Sequence, residues 1–358
     1  METNKIKLAI IGVGLIGGSL GLALKDKLGD KIYITGLCRT QKSMDLAVKL
    51  GAVDFASPDV KAVVSEADII FLSPPVLQIV PMVEKILPFL KPGAILTDAG
   101  STKQYIWNHL KNILPPNIYY IAGHPMTGRE MSGVSAAKKD LFKNKAYVIV
   151  KDTGAPKAAY DTLMDILKLT EANFTTLDIA KHDRCASVIS HVPHITAAAL
   201  VTLLNREGSD LESCIKLIGG GFKDTTRIAS SNADMWADIC MTNGEAINDN
   251  LRDLQSILGE VINAIERGDR QAIHDYFAAS KARRDSILEF VENKFYILMD
   301  CTKPLRERRA CLSQHSAVLY GSEPHTVVIQ HPEANYSISR VNAQYSYLFQ
   351  FYTCFLSL

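Results

Sequence analysis

The chain has 358 residues, 47% of them apolar, and its 39 lysines and arginines nearly cancel 38 aspartates and glutamates, leaving a net charge of +1. That is the composition of an ordinary globular protein with room for two domains and an appendage. It lacks the basic excess that favours nucleic acid and any like-charge block, and its seven cysteines include no close pair, which suits reduced thiols.

In chain order, 7–11 (KLAII) is a short apolar strand that stops at Gly12, and 15–25 reads as a helix. The apolar run starts too early for a signal peptide, and the late run 345–358 is too short to span a bilayer as a helix. A cytoplasmic chain with neither a membrane nor a nucleic-acid partner is therefore expected. Gly12, Gly14 and Gly17 form a G-x-G-x-x-G where strand turns into helix. Gly12 suits the tight turn, Gly14 lets backbone approach a pyrophosphate, and Gly17 lets the helix pack closely. The first helical amides, at Leu15 and Ile16, would face the phosphate charge.

A strand at 32–37 follows at the spacing of a dinucleotide-binding unit. Where an acidic residue would bind the ribose hydroxyls of NAD, the chain has Cys38-Arg39-Thr40-Gln41-Lys42-Ser43. Arg39 and Lys42 could meet a 2′-phosphate and Thr40 could donate a hydrogen bond; alternatively Arg39 only stacks on adenine, which suits either cofactor. The cofactor is expected to be NAD or NADP, with the balance toward NADP.

The alternation continues through a helix at 43–50, a fully apolar strand at 67–72 ending at Ser73, a helix at 76–90 and a strand at 94–97 leading to Ser101. A strand at 119–121 delivers His124, and a strand at 145–150, a helix at 157–170 and a strand at 174–177 complete the pattern. This predicts one mostly parallel sheet with Ser73, Ser101 and His124 along its carboxyl edge. After residue 178 strand signals vanish, and helices are expected at 180–204, 211–218, 235–241, 246–266 and 270–292. Several are apolar on more than one face and call for burial against a partner copy. The fold class is thus α/β, a Rossmann-type nucleotide-binding domain (1–177) followed by an all-α dimerisation domain (178–294) and a tail (295–358).

In the first helical run, His191 and His194 share a face beside Ser190, and Pro193 should kink the helix by freeing the carbonyl of Ile189. The plain reading is a capped helix with satisfied histidines. A zinc site is disfavoured because no cysteine pair or H-E-x-x-H spacing accompanies them. Gly219-Gly220-Gly221 reads as a loop built for close approach, with Arg227 placed to clamp a carboxylate.

Five segments in order resemble the prephenate dehydrogenases of tyrosine biosynthesis, a family that includes arogenate dehydrogenases: GVGLIGGSL at 12–20, DAGSTK at 98–103, GHPMTGRE at 123–130, HDRCASVISHVPH at 182–194 and GGGFKDTTRIA at 219–229. The resemblance implies NAD(P)-dependent oxidative decarboxylation of prephenate to 4-hydroxyphenylpyruvate by a homodimer. It implies His124 as the proton acceptor and Ser101 as a residue positioning that histidine and the substrate hydroxyl. It further implies His194 and Arg227 as substrate contacts, with His191, Ser190 and Glu130 in the surrounding polar network. Rival readings are an arogenate dehydrogenase, a β-hydroxyacid dehydrogenase, whose base would be a lysine, and a non-catalytic nucleotide sensor. Residues 295–300 (FYILMD) faintly resemble the opening of an ACT regulatory domain.

Overall fold

A computed structural model describes residues 5–128, 131, 133–300, 318–320 and 328–330, with side chains through 290. Its contacts divide the chain into two compact units, 1–256 and 257–358.

The first unit opens with alternating strands and helices: β1 (Ile6–Ile11), α1 (Leu15–Leu28), β2 (Ile32–Leu37), α2 (Gln41–Lys49), β3 (Phe55–Ser57), α3 (Val60–Val64), β4 (Ile69–Leu72), α4 (Val76–Ile86), β5 (Ile95–Asp98), α5 (Gln104–Leu110) and β6 (Tyr119–Ile121). The six strands form one parallel sheet in the order β3-β2-β1-β4-β5-β6. Successive side chains of a strand point to opposite faces, and in β1 both sets are buried: Leu8 and Ile10 in one apolar cluster, Ala9 and Ile11 in another. That two-sided burial is why the strands read as continuous apolar runs.

The expected single sheet is in fact two. After β6 the chain forms β7 (Gly123–Pro125), which pairs antiparallel with β8 (Ala146–Val150); α6 (Lys157–Leu167) then leads to β9 (Asn173–Leu177), parallel to β8. The backbone passes between the sheets at Ala122, whose carbonyl accepts from the Val150 amide. Gly123 permits the crossing, because a Cβ there would lie 2.9 Å from the Asp98 carbonyl oxygen and 3.1 Å from the Tyr147 ring.

Helices follow: α7 (Ile179–Ala186), α8 (Val192–Leu204), α9 (Leu211–Lys216), α10 (Gly220–Thr226), α11 (Ala233–Thr242) and α12 (Gly244–Glu266), which crosses the division between the two units. Three expectations are corrected here. The irregularity tied to Pro193 is a π-helical turn over Ser187–His191, in which the Val192 amide donates to the Ser187 carbonyl, and Pro193 lies in the first turn of α8, where its missing N–H costs little. The triple glycine is not a loop: Gly219 caps α10 and the other two glycines begin it, with open space around all three. Residues 295–300, likened to the opening of a separate module, instead continue the helix α13 (Arg270–Asp300). In the second unit a two-stranded antiparallel pairing joins Val318–Tyr320 to Val328–Gln330; the rest of the expected tail lies outside the described residues.

Candidate active site

The glycine turn is built to receive an anion. Gly12 has φ +92°, which favours glycine, and a Cβ on Gly17 would sit 2.5 Å from the Gly12 carbonyl oxygen and 2.6 Å from Ser73 Oγ. Gly14, by contrast, faces open space, and no side chain caps α1, so the helix's first amides remain available beside half-buried Leu15 and Ile16. These features fit the pyrophosphate of a dinucleotide. Ser73 Oγ donates to the Gly12 carbonyl at 2.7 Å, so its hydroxyl is spent holding the turn. At the end of β2, Arg39 and Thr40 are exposed. Thr40 is engaged in a reciprocal cap with Ser43 at the start of α2.

His124 lies in β7 and is buried. Its Nδ1 is 2.9 Å from His182 Nε2, and His182 Nδ1 is 2.7 Å from Asp183 Oδ1. Asp183 also accepts from the Lys103 amide at Oδ1 and the Gln104 amide at Oδ2, both at 2.8 Å, so its carboxylate closes the N-terminus of α5. Beneath this row, fully buried Lys103 pairs with Asp98 and donates from Nζ to the Gly123 carbonyl at 2.7 Å. Asp98 Oδ1 in turn accepts from the Gly123 amide and from Tyr120 Oη. Gly123, the residue before His124, is therefore gripped at both its N–H and its C=O. Burial holds the His124 imidazole well below the ordinary histidine range, so the ring is neutral near pH 7.

The helical segment supplies a second wall. Asn243 donates from Nδ2 to the Asp183 carbonyl at 2.8 Å and toward His191 Nδ1 at 3.1 Å. The latter bond leaves the His191 proton on Nε2, and burial lowers this histidine to about 4. His194 Nδ1 donates to the Ser190 carbonyl at 2.8 Å, leaving Nε2 as an acceptor. Its ring stacks on Trp236 at 4.0 Å, while His191 meets the same indole edge-on at 6.0 Å. Trp236 Nε1 is buried without a hydrogen-bond partner among the described residues. Arg227 is exposed in the turn after α10, close enough for its charge to help lower His194.

Of the expected residues, the structure therefore gathers His191 and His194 around Trp236, holds His194 by the Ser190 carbonyl, and links His124 to the helical segment through His182. Ser101 is half-buried just past β5 at the same sheet edge, but the ring partner of His124 is His182. Glu130 lies outside the described residues. Sequence reasoning passed over His182, Asp183, Lys103, Asn243 and Trp236. The first three lie inside quoted motifs, but the bond between His182 and His124 spans 58 residues, and no spacing rule announces it.

Comparison with known proteins gives a consistent picture. Residues 20–176 match the family model described as prephenate dehydrogenase, nucleotide-binding domain, and residues 178–279 match prephenate dehydrogenase, dimerization domain. A prephenate dehydrogenase of Bacillus subtilis is 34% identical over 80% of this chain and 77% of its own length. That of Lactococcus lactis is 34% identical over 78% and 77%. Among solved structures, the Aquifex aeolicus prephenate dehydrogenase in complex with hydroxyphenyl propionate and NAD+ superposes with a TM-score of 0.74 at 28% identity, covering 80% of this chain and 100% of that one. The Synechocystis arogenate dehydrogenase superposes at 0.68 with 29% identity, covering 79% and 100%.

Proposed function

We propose that this chain, which belongs to the prephenate dehydrogenase family, oxidatively decarboxylates prephenate to 4-hydroxyphenylpyruvate with His124 as the base. The observation that carries the assignment of the base is a buried, neutral imidazole tied through His182 to the segment that bears His191 and His194. A nicotinamide dinucleotide held at the Gly12–Gly14–Gly17 turn supplies the acceptor for the carbinol hydrogen and its electron pair.

The chain's own residues do the rest. His124 accepts the ring hydroxyl proton at Nε2, the nitrogen not engaged by His182. Arg227 holds a substrate carboxylate, and Ser101 stands at the same sheet edge to orient the hydroxyl. The Trp236 Nε1, unpartnered among the described residues, offers a donor to the side chain or the ring carboxylate, and the His194 ring stacked on that indole lines the same wall. Loss of CO2 aromatises the ring, so the step is downhill and asks of the protein mainly orientation and a base. Arg39 and Lys42, both exposed at the end of β2 with no carboxylate at 38–43, support a preference for NADP. A second copy of the chain is the expected protein partner, and the setting is cytoplasmic.

Steady-state assays with prephenate and either NAD+ or NADP+, followed by absorbance of the reduced nicotinamide, test this reading. Turnover with the higher kcat/KM for NADP+ is expected. No turnover with either cofactor overturns the function, and a clear preference for NAD+ overturns the cofactor choice. Arogenate in the same assay separates the keto from the amino side chain. His124→Asn should lower kcat by about 10²–10⁴-fold with KM little changed, and near-normal kcat removes the base from His124.

A further inference from the structure

The geometry assigns His182 the part of positioning residue for His124: with Asp183 behind it, His182 fixes the His124 tautomer so that Nε2 carries the lone pair. This rests on the reading of His124 as the base. A carboxylate is acceptor-only, and Asp183 is committed to that role by the Lys103 and Gln104 amides, which can only donate. The hydrogen between Asp183 Oδ1 and His182 Nδ1 therefore belongs to His182. A neutral His182 then has a bare Nε2, which can only accept. The hydrogen in the 2.9 Å contact must come from His124 Nδ1, and the remaining lone pair of His124 is on Nε2.

With His182 neutral, every donor and acceptor in the row follows from the two backbone amides at the start of α5, which can only donate. When His124 takes a proton at Nε2, its Nδ1–H still points at His182 Nε2, and the new positive charge faces an acceptor backed by a carboxylate. No proton needs to pass along the row. The logic is that of a base oriented by a second group and that group by a third, with a second imidazole inserted between base and carboxylate. The row also joins the two halves of the site, because His182 and Asp183 lie in α7 and His124 in β7. The other charged or titratable groups facing it are Lys103 with Asp98 beneath and His191 beyond Asn243.

The test uses the full-length enzyme with prephenate and NAD+ or NADP+. His182→Leu should lower kcat by about 10²-fold while KM and cofactor affinity stay within about three-fold. His182→Gln, whose side-chain oxygen can accept from His124 Nδ1–H, should recover most of the loss. The readout that a merely structural role would not move is the ring nitrogen spectrum of ¹⁵N-histidine-labelled protein, with the His124 signals identified by their absence in His124→Asn. Wild type and His182→Gln should show His124 protonated at Nδ1; His182→Leu should show the Nε2–H form or a mixture. Retained kcat in His182→Leu alongside an inactive His124→Asn overturns the positioning role and leaves the base in place. Lost kcat with the Nδ1–H form intact overturns it too, by showing a packing defect. An active His124→Asn overturns both readings.

Discussion

Arg227 and His191 illustrate how differently two residues of one site can be tested. A guanidinium that grips a substrate carboxylate binds ground state and transition state alike, so its loss weakens binding more than it slows chemistry. Arg227→Ala is therefore expected to raise the KM for prephenate by about 10–100-fold with kcat within about three-fold. An unchanged KM moves the carboxylate clamp elsewhere. His191 leaves its mark on stability instead. Burial lowers it from 6.5 to about 4, so between those values the unfolded chain binds a proton that the folded chain refuses. The contribution is complete above 6.5 and is lost as pH falls toward 4; His124, lowered in the same direction, adds to the trend. The Tm of the enzyme should fall across this window, and His191→Asn should flatten part of the fall even though it starts from a lower Tm. Parallel curves for the two proteins would show that His191 titrates normally.

At the scale of elements, α1 does two separable jobs, and two of its neighbouring glycines divide them. At Gly21 an added Cβ would stand 1.9 Å from the Ala52 backbone carbonyl oxygen, which cannot rotate away. Gly21→Ala should cost about 3 kcal/mol in urea unfolding, the upper end of overpacking. At Gly14 the Cβ would meet nothing within 4 Å, so Gly14→Ala should cost under about 1 kcal/mol, the weaker cap alone. It should nevertheless weaken NAD(P) binding, measured by titration of intrinsic fluorescence, because the methyl occupies the space in front of the first helical amides. Unaltered cofactor affinity in Gly14→Ala would place the pyrophosphate elsewhere. The parallel sheet and the glycine turn were legible in the sequence because both depend on local pattern: apolar runs closed by glycine, at fixed spacing. The break into two sheets was not, since it turns on Gly123 meeting Asp98 and Tyr147, residues 25 and 24 positions away in opposite directions. The π turn was half legible. Pro193 announced an irregularity, but the sequence does not tell that the chain takes it up as a π turn before α8 rather than as a bend within it. The site followed the same rule, with its motif histidines visible and the partners that orient them hidden by sequence distance.

At the scale of the whole molecule, the apolar surface of the helical segment needs a cover. The stretch Ile179–Leu204 is long and apolar enough in composition to cross a membrane, yet only 17% of its most apolar window is buried within this chain. Val188, Ile189, Leu203, Leu217 and Met241 are all more than half exposed. The same stretch, however, carries the π turn, His191, and the His182–Asp183 pair that holds His124 of β7, so it is committed to the nucleotide-binding half. A second copy of the chain satisfies both demands, and residues 178–279 match a dimerization domain. A homodimer is expected by light scattering at micromolar concentration. In a two-fold interface each substitution appears twice, so a single Leu203→Asp, placing a charge where an apolar side chain would be covered, should weaken association by about 3 kcal/mol or more, roughly 10²-fold in Kd. The variant should run as a monomer at concentrations where the wild type is dimeric. Because no residue assigned to proton transfer lies on Leu203, the freed protomer also reports on the site itself. Activity that survives dissociation would show that each chain builds its own catalytic wall. Activity lost with dimerisation and recovered at high protein concentration would show that the helical wall is held in place by its partner.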